Sequence, residues 1–271
     1  MKYFSLIVNR EKPGAEEAAA QIEAFLKAAD SAVRTEVLTD PKDVPSEQTE
    51  CIITVGGDGT MIQAARSTLG RCIPMIGMNR GHTGFLTELG DEDVEGGLKR
   101  LLEGDFELED RMMLEASVYR GGELLYHDVA LNEAVLIRYE HQGAASFRVY
   151  VNDTFLAAYH ADGIIAATPT GSTAYSFSAG GPIAAPASRL ILLTAICPHS
   201  INSRSVILSE NDEVRLVPGP ESQRFSCDGA APVTLMPGDE IRIRRSENIC
   251  RFIRLGDMSF VERLGARINY T

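Results

Sequence analysis

Apolar residues in the first hundred positions alternate between two periods. Residues 3–8 form a short apolar run that predicts a strand, and residues 15–29 place Ala18, Ile22, Phe25, Leu26 and Ala29 on one helical face. A second strand is expected at about 33–38, and the acidic stretch 40–50, with its two prolines, reads as a surface connection. Cys51-Ile52-Ile53-Thr54-Val55 is β-branched enough to be a buried strand of a parallel sheet, and Gly56-Gly57 breaks it. Beyond the break Thr60 offers an N-cap hydroxyl, and Met61, Ile62, Ala65 and Leu69 recur at near-helical spacing, which predicts a helix from about Thr60. A strand over 72–78 follows, then a short helix carrying Val94, Leu98, Leu101 and Leu102, capped by Asp91 and ended by Gly104. Strands alternating with helices imply parallel crossovers, so residues 1–105 are expected to form a Rossmann-like α/β domain that binds ligands at the carboxyl ends of its strands.

From Phe106 the pattern shortens. Runs at 114–120, 123–137, 147–151 and 155–160 are separated by Gly121-Gly122, by 141–145 and by Asn152-Asp153, all hairpin signals. Further strands are expected at 190–196, 213–217, 224–227 and 240–244, with Pro237-Gly238-Asp239 as a turn. The predicted class is therefore α/β plus all-β: a Rossmann-like domain followed by a β-rich, sandwich-like domain over 106–250, with a last helix at 259–266.

Composition narrows the function more than the fold. A hydrophobic content of 44% and a charged content of 24% are those of a soluble globular protein, and no apolar run reaches the ~18 residues of a membrane span. The first apolar run turns polar at Asn9-Arg10 without a cleavage site, so a cytoplasmic protein is expected. Five cysteines without a C-x-x-C pair argue against a disulfide framework, and no His/Cys cluster has metal-ligand spacing. A formal net charge of −12 argues against a nucleic-acid partner. It also opposes anionic nucleotides, so local N–H groups and magnesium would have to overcome the overall field; there is no Walker-type lysine to help.

The candidate chemistry lies where the strand 51–55 meets the following helix. A glycine turn at a helix N-terminus is suited to a phosphate, yet Asp58 puts a carboxylate there. Three readings of Asp58 compete: a turn former bonding its own backbone, a magnesium contact, and a general base toward a substrate hydroxyl.

Gly56-Gly57-Asp58-Gly59-Thr60 resembles the signature shared by NAD kinases, diacylglycerol and sphingosine kinases and, more loosely, 6-phosphofructokinases. Residues 168–178 read as a loop of hydroxyls and glycines, either able to follow a polar ligand or an ordinary surface loop. Asn132-Glu133 and the string DGIIAATPTGSTAYSFSAGGP at 162–182 resemble the NAD kinase pattern specifically, and motifs in the same order extend from about residue 52 to Asp228. The chain departs from the pattern at Thr83, Ala195 and Ala230. The resemblance implies phosphorylation of the 2′-hydroxyl of the adenosine ribose of NAD by ATP, with Mg2+ or another divalent cation, to give NADP. It implies Asp58 as the catalytic base, Gly56, Gly57, Gly59 and Thr60 as the phosphate-donor loop, and NAD contacts from Asp58, Gly59, Asn132, Glu133, His160, Asp162, Thr173, Ala174, Tyr175, Ser176, Phe177 and Ser178. It also implies a second glycine-rich loop at 77–86, a segment 251–271 packed on the first domain, and a homodimer or homotetramer; Arg80 and His82 in that loop read as two solvated side chains, with phosphate contacts as the alternative. The alternatives are a lipid or sphingoid-base kinase, which gives no reason for 168–178, and a non-catalytic NAD(P)-binding sensor, which gives none for Asp58.

Overall fold

Apolar runs without alternation need cover on both faces, and the first part of the chain supplies it. The computed structural model describes residues 1–79, 84–90, 93–139, 143–200, 203–256 and 258–268, and the chain divides into two units, Met1–Arg111 with Ile249–Thr271, and Met112–Asn248. In the first unit the order is β1 (Tyr3–Val8), α1 (Ala15–Ala29), β2 (Arg34–Leu38), β3 (Cys51–Val55), α2 (Asp58–Ser67), β4 (Met75–Met78) and α3 (Val94–Glu103). The four strands are parallel in the order β2-β1-β3-β4. All five residues of β3 are buried. Phe4, Leu6, Ile22, Leu26, Ile53, Ile76, Leu98 and Leu101 share one core.

Three boundaries differ from expectation. Helix α2 begins at Asp58 with Gly57 as its N-cap, so Thr60 lies inside the first turn, where its buried hydroxyl accepts from Asn9 Nδ2 at 3.4 Å instead of capping. An acid in the first turn suits the positive end of the helix. Strand β4 begins at Met75 and not at Cys72, because Cys72 has φ 47° and Pro74 brings no N–H to the ladder. Helix α3 is capped by Asp93, whose side chain accepts from the Gly96 N–H; Asp91 lies outside the described residues.

The chain leaves the first unit within β5 (Glu107–Arg120) and continues through β6 (Glu123–Ala130), β7 (Glu133–Arg138), β8 (Ala145–Val151), β9 (Thr154–Ala161) and β10 (Gly163–Ala167). A 3-10 turn (Thr170–Thr173) and a single helical turn, α4 (Tyr175–Ser178), precede β11 (Leu190–Ile196), β12 (Val206–Ser209), β13 (Val214–Pro218), β14 (Gln223–Cys227), β15 (Val233–Leu235) and β16 (Glu240–Arg254); α5 (Phe260–Ile268) ends the described chain. Within the second unit, one antiparallel sheet runs β12-β11-β10-β7-β14-β15. The other pairs β13 with β8 and the first half of β16, β8 with β9, and β5 with β6. Leu114, Val118, Leu136, Phe147, Ile164, Leu193, Leu216, Phe225 and Ile241 pack in one core between strands of both sheets, which makes the unit sandwich-like. Positive φ at Gly121 (58°) and Gly122 (87°), and at Asn152 (48°) and Asp153 (61°), closes the two hairpins.

The apolar run 123–137 is two strands in different sheets: β6 pairs with β5, and β7 with β10 and β14. The chain changes sheets at Leu131-Asn132, the corner where the polar pair sits. Residues 168–178, read as a loop, are largely helical turns. The reason is that their hydroxyls bond backbone nearby: Thr168 Oγ1 accepts from Gly171 N–H at 3.1 Å, and Ser172 Oγ donates to Pro169 O at 2.6 Å.

Candidate active site

Each unit holds a cluster of functional groups. In the first, β3 delivers the chain through Gly56-Gly57 to Asp58 at the start of α2. A Cβ at Gly56 would lie 2.2 Å from Thr60 Oγ1, so that glycine is required by packing. Gly57 and Gly59 differ. A Cβ at either would meet nothing within 4 Å, and neither has a positive φ, so neither fold packing nor backbone geometry asks for glycine there. The Asp58 carboxylate is gripped from the second glycine-rich loop: Phe85 N–H donates to Oδ2 at 2.9 Å and Leu86 N–H to Oδ1 at 3.2 Å. Those donors are 27 and 28 residues away, so the side chain is not closing its own turn. Gly84 lets the loop approach this closely, because a Cβ there would fall 1.8 Å from Asp58 Oδ1. Each carboxylate oxygen keeps a lone pair for a further partner. Arg80 and His82 lie outside the described residues.

The second cluster is built on Asp228. This residue has φ 47° and, with Gly229 at φ 68°, forms the turn between β14 and β15, with Ala230 N–H on Cys227 O at 2.9 Å. Its carboxylate accepts from three successive backbone groups: Leu131 N–H at 2.7 Å, Asn132 N–H at 2.9 Å and Glu133 N–H at 3.0 Å. The sheet-changing corner would otherwise bury these donors without partners. On the other side, Thr168 N–H donates to Asn132 O at 2.8 Å, and Thr168 Oγ1 to Leu131 O at 2.6 Å. Asn132 and Glu133 are both buried.

Glu133 is the unusual group. Burial and then the neighbouring Asp228 charge push its carboxyl up to about 8, against a donation from the Tyr175 N–H that works the other way. Its Oε2 is buried and has no hydrogen-bond partner among the described residues. Tyr175 is 38% exposed, and burial together with Cys197, Asp162 and Glu133 raises its phenol. Glu133, Tyr175 and Asp162 thus share one neighbourhood, while Asp162 itself pairs with Arg138 at 3.0 Å.

The other residues singled out from the sequence are placed as follows. Thr173 and Ala174 are half-buried, and Phe177 and Ser178 are exposed. Ser176 is fully buried with its hydroxyl 3.3 Å from that of Thr194. His160 is exposed on β9, its Nδ1 3.3 Å from Ser146 Oγ, and lines a cleft of about 610 Å³ with Tyr159, Pro198, His199 and Arg204. Among the described residues no group of three or more His, Cys, Asp or Glu is placed to hold a metal ion. Sequence reasoning left Asp228 without a role; the signal was present in Cys227-Asp228-Gly229, a tight turn carrying a carboxylate.

A family model described as the ATP-NAD kinase N-terminal domain matches residues 34–106, and one described as the ATP-NAD kinase C-terminal domain matches residues 131–255. The NAD kinase of Lachnospira eligens is 38% identical over 290 residues, which cover 97% of this chain and 99% of that one. The chain belongs to the NAD kinase family. The NAD kinase of Symbiobacterium thermophilum is 36% identical over 283 residues, covering 100% of both chains. Among solved structures, an NAD kinase from Archaeoglobus fulgidus in complex with ATP superimposes with a TM-score of 0.76 at 26% identity, over 94% of each chain. Yeast NADH kinase complexed with NADH has the same fold, with a TM-score of 0.89 at 22% identity over 100% of this chain and 88% of that one. Membership of the NAD kinase family makes the protein a transferase of the kinase type and does not favour the lipid-kinase or sensor readings. No helix among the described residues is long and apolar enough to cross a membrane.

Proposed function

We propose that the protein transfers the γ-phosphoryl group of ATP to the 2′-hydroxyl of the adenosine ribose of NAD, and that Asp58 takes the hydroxyl proton. The observation that carries this is a carboxylate held by two backbone N–H groups at the start of a helix, flanked by two glycines whose missing side chains serve no packing purpose. Open space beside Gly57 and Gly59 suits the approach of a phosphate to backbone N–H groups and a helix N-terminus. Gly56, Gly57, Gly59 and Thr60 then form the donor loop. The ribose oxygen bonds to the γ-phosphorus, the bond to the β–γ bridging oxygen breaks, ADP leaves, and the proton passes to the Asp58 carboxylate. A carboxylate is a much weaker base than an alkoxide, so the proton moves as the new P–O bond forms. Asn132, Glu133, His160, Asp162 and 173–178 hold the dinucleotide in this reading, Ser176 by bracing the segment from within. The divalent cation of this proposal arrives on the ATP phosphates, where it would neutralise their charge. Assembly as a homodimer or homotetramer belongs to the same proposal, as does a cytoplasmic location, which cysteines outside any disulfide support.

Asp58→Asn tests the core of the proposal. It keeps the size and turn-forming ability of the side chain and removes its basicity. NAD binding is expected near normal, with turnover lower by about 10² to 10⁴. Recovery of turnover at high magnesium would make Asp58 a metal contact, and undiminished turnover would make it structural. Incubation with ATP or polyphosphate, and with NAD, NADH or diacylglycerol, identifies donor and acceptor.

A further inference from the structure

Glu88 lies two residues beyond Leu86, whose N–H holds Asp58, and its side chain is only 3% exposed. A carboxylate so buried requires charged partners. It has two: Arg254 near the end of β16, 11% exposed, and Arg263 in α5, 13% exposed. Leu255 N–H adds a third donor at 3.3 Å. Both arginines are tied elsewhere. Arg254 Nε donates to Glu109 Oε2 at 2.6 Å, and Arg263 Nη2 to Met258 O at 2.7 Å. The other side of the segment is fixed to β4, where Glu88 and Leu89 N–H groups both reach Gly77 O at 3.0 Å. Within it, Gly84 N–H donates to the hydroxyl of Thr87, which is fully buried. The short stretch that presents two N–H groups to Asp58 is therefore braced by a strand on one side and by a carboxylate between two arginines on the other.

We propose that Glu88, Arg254 and Arg263 are positioning residues through which the C-terminal helix sets the Phe85 and Leu86 N–H groups and so orients Asp58. The inference rests on the reading of Asp58 as the base. Loss of Arg263 leaves a buried carboxylate short of a partner, and Glu88 then moves toward water and takes the adjoining backbone with it. A displacement of about 1 Å at a reacting group costs up to 10²-fold in rate.

The test is a double-mutant cycle in turnover. Arg263→Ala is expected to lower kcat about tenfold with KM for NAD and ATP changed less than about twofold, and Arg263→Lys to recover part of the loss. In an Asp58→Asn background, Arg263→Ala is expected to cause no further fall, because the group it positions has already lost its chemistry. Unchanged kcat in Arg263→Ala, or a full tenfold loss on top of Asp58→Asn, would overturn the proposal. Wild-type turnover in Asp58→Asn alone would instead overturn the reading of Asp58. Glu88→Gln, which keeps the shape and removes the charge, reads the same cycle if Arg263→Ala does not fold.

Discussion

Replacing Glu133 by Gln isolates the cost of keeping an ionisable group in the corner between β6 and β7. With the carboxyl pushed up from 4.5 to about 8, the folded protein holds a proton across a range where the unfolded chain has released it. The sign follows directly. Below about pH 4.5 both states are protonated and the group costs nothing; as pH rises toward about 8 the unfolded state alone ionises, and stability falls by about 1.36 kcal/mol per pH unit. Above about 8 both states are ionised and the loss is complete. At pH 7 the accumulated cost is of order 3 kcal/mol, a large part of the 5 to 15 kcal/mol that holds a typical domain. Glutamine has the same shape, still accepts from the Tyr175 N–H, and does not titrate. Its amide group, placed where Oε2 has no partner, adds a penalty of about 1 kcal/mol that does not vary with pH. The informative quantity is therefore the slope. Urea unfolding of both proteins without nucleotide at pH 5, 6, 7 and 8 should show the variant gaining on the parent at each step, by roughly 3 to 4 kcal/mol over the series. Parallel profiles would show that Glu133 is ionised throughout and that its burial is compensated by something other than a proton.

Gly84→Ala places a methyl group 1.8 Å from Asp58 Oδ1, so the carboxylate must swing away from both N–H donors; turnover should fall about a hundredfold while NAD affinity, by titration, stays near normal. Asp228→Ala strands three buried N–H groups and should destabilise the protein by about 3 kcal/mol or more in urea, whereas a surface substitution would cost under about 0.5 kcal/mol. Tyr175→Ala should weaken NAD binding about tenfold if the ring packs on the ligand, and equal affinity would remove it from the site. In the proposed site, binding of NAD should weaken about fivefold as pH rises through about 8, because ionised Glu133 adds a negative charge against an anionic ligand; affinity that tightens over that range would refute this.

The α/β and sandwich-like classes were legible because each rests on local periodicity: β3 is a run of five buried residues, and the hairpin turns carry their own glycines or Asn-Asp. What failed to show were features set by distant partners. The strand at 240–244 continues to Arg254 because pairing such as Phe252 with Met75 sustains it, and the polar stretch 244–248 hid that continuation. The hydroxyl-rich string looked like a loop open to a ligand, yet Thr168 and Ser172 spend their hydroxyls on backbone inside the fold. Glu88 and Arg263 are 175 residues apart in the chain, and each alone resembles a solvated charge. Asp58 was visible as a carboxylate in a glycine turn, but its two N–H partners were not, since backbone donors leave no mark on composition.

The same backbone donors bear on how a chain of formal charge −12 accommodates anionic substrates. Formal charge counts every carboxylate as a free anion, and within each of the two units several of them are matched by donors. Asp58 is held by two N–H groups and Asp228 by three. Asp162 is paired with Arg138, and Glu88 with two arginines. Glu133, buried beside Asp228 with no ion pair among the described residues, is pushed up to about 8 and holds a proton at neutral pH. The field a phosphate meets is set by what remains after these pairings: ion pairs cancel at short range, backbone N–H groups offset a carboxylate's charge in part, and distant surface acids are screened over about 8 Å at physiological salt. Acidic residues can thus be abundant on the surface and still leave the nucleotide sites available, provided each carboxylate that must lie close is matched by a donor already fixed in the fold. For Asp58 and Asp228 those donors are backbone N–H groups, whose positions are set by strands and turns and carry no entropy cost when substrate arrives.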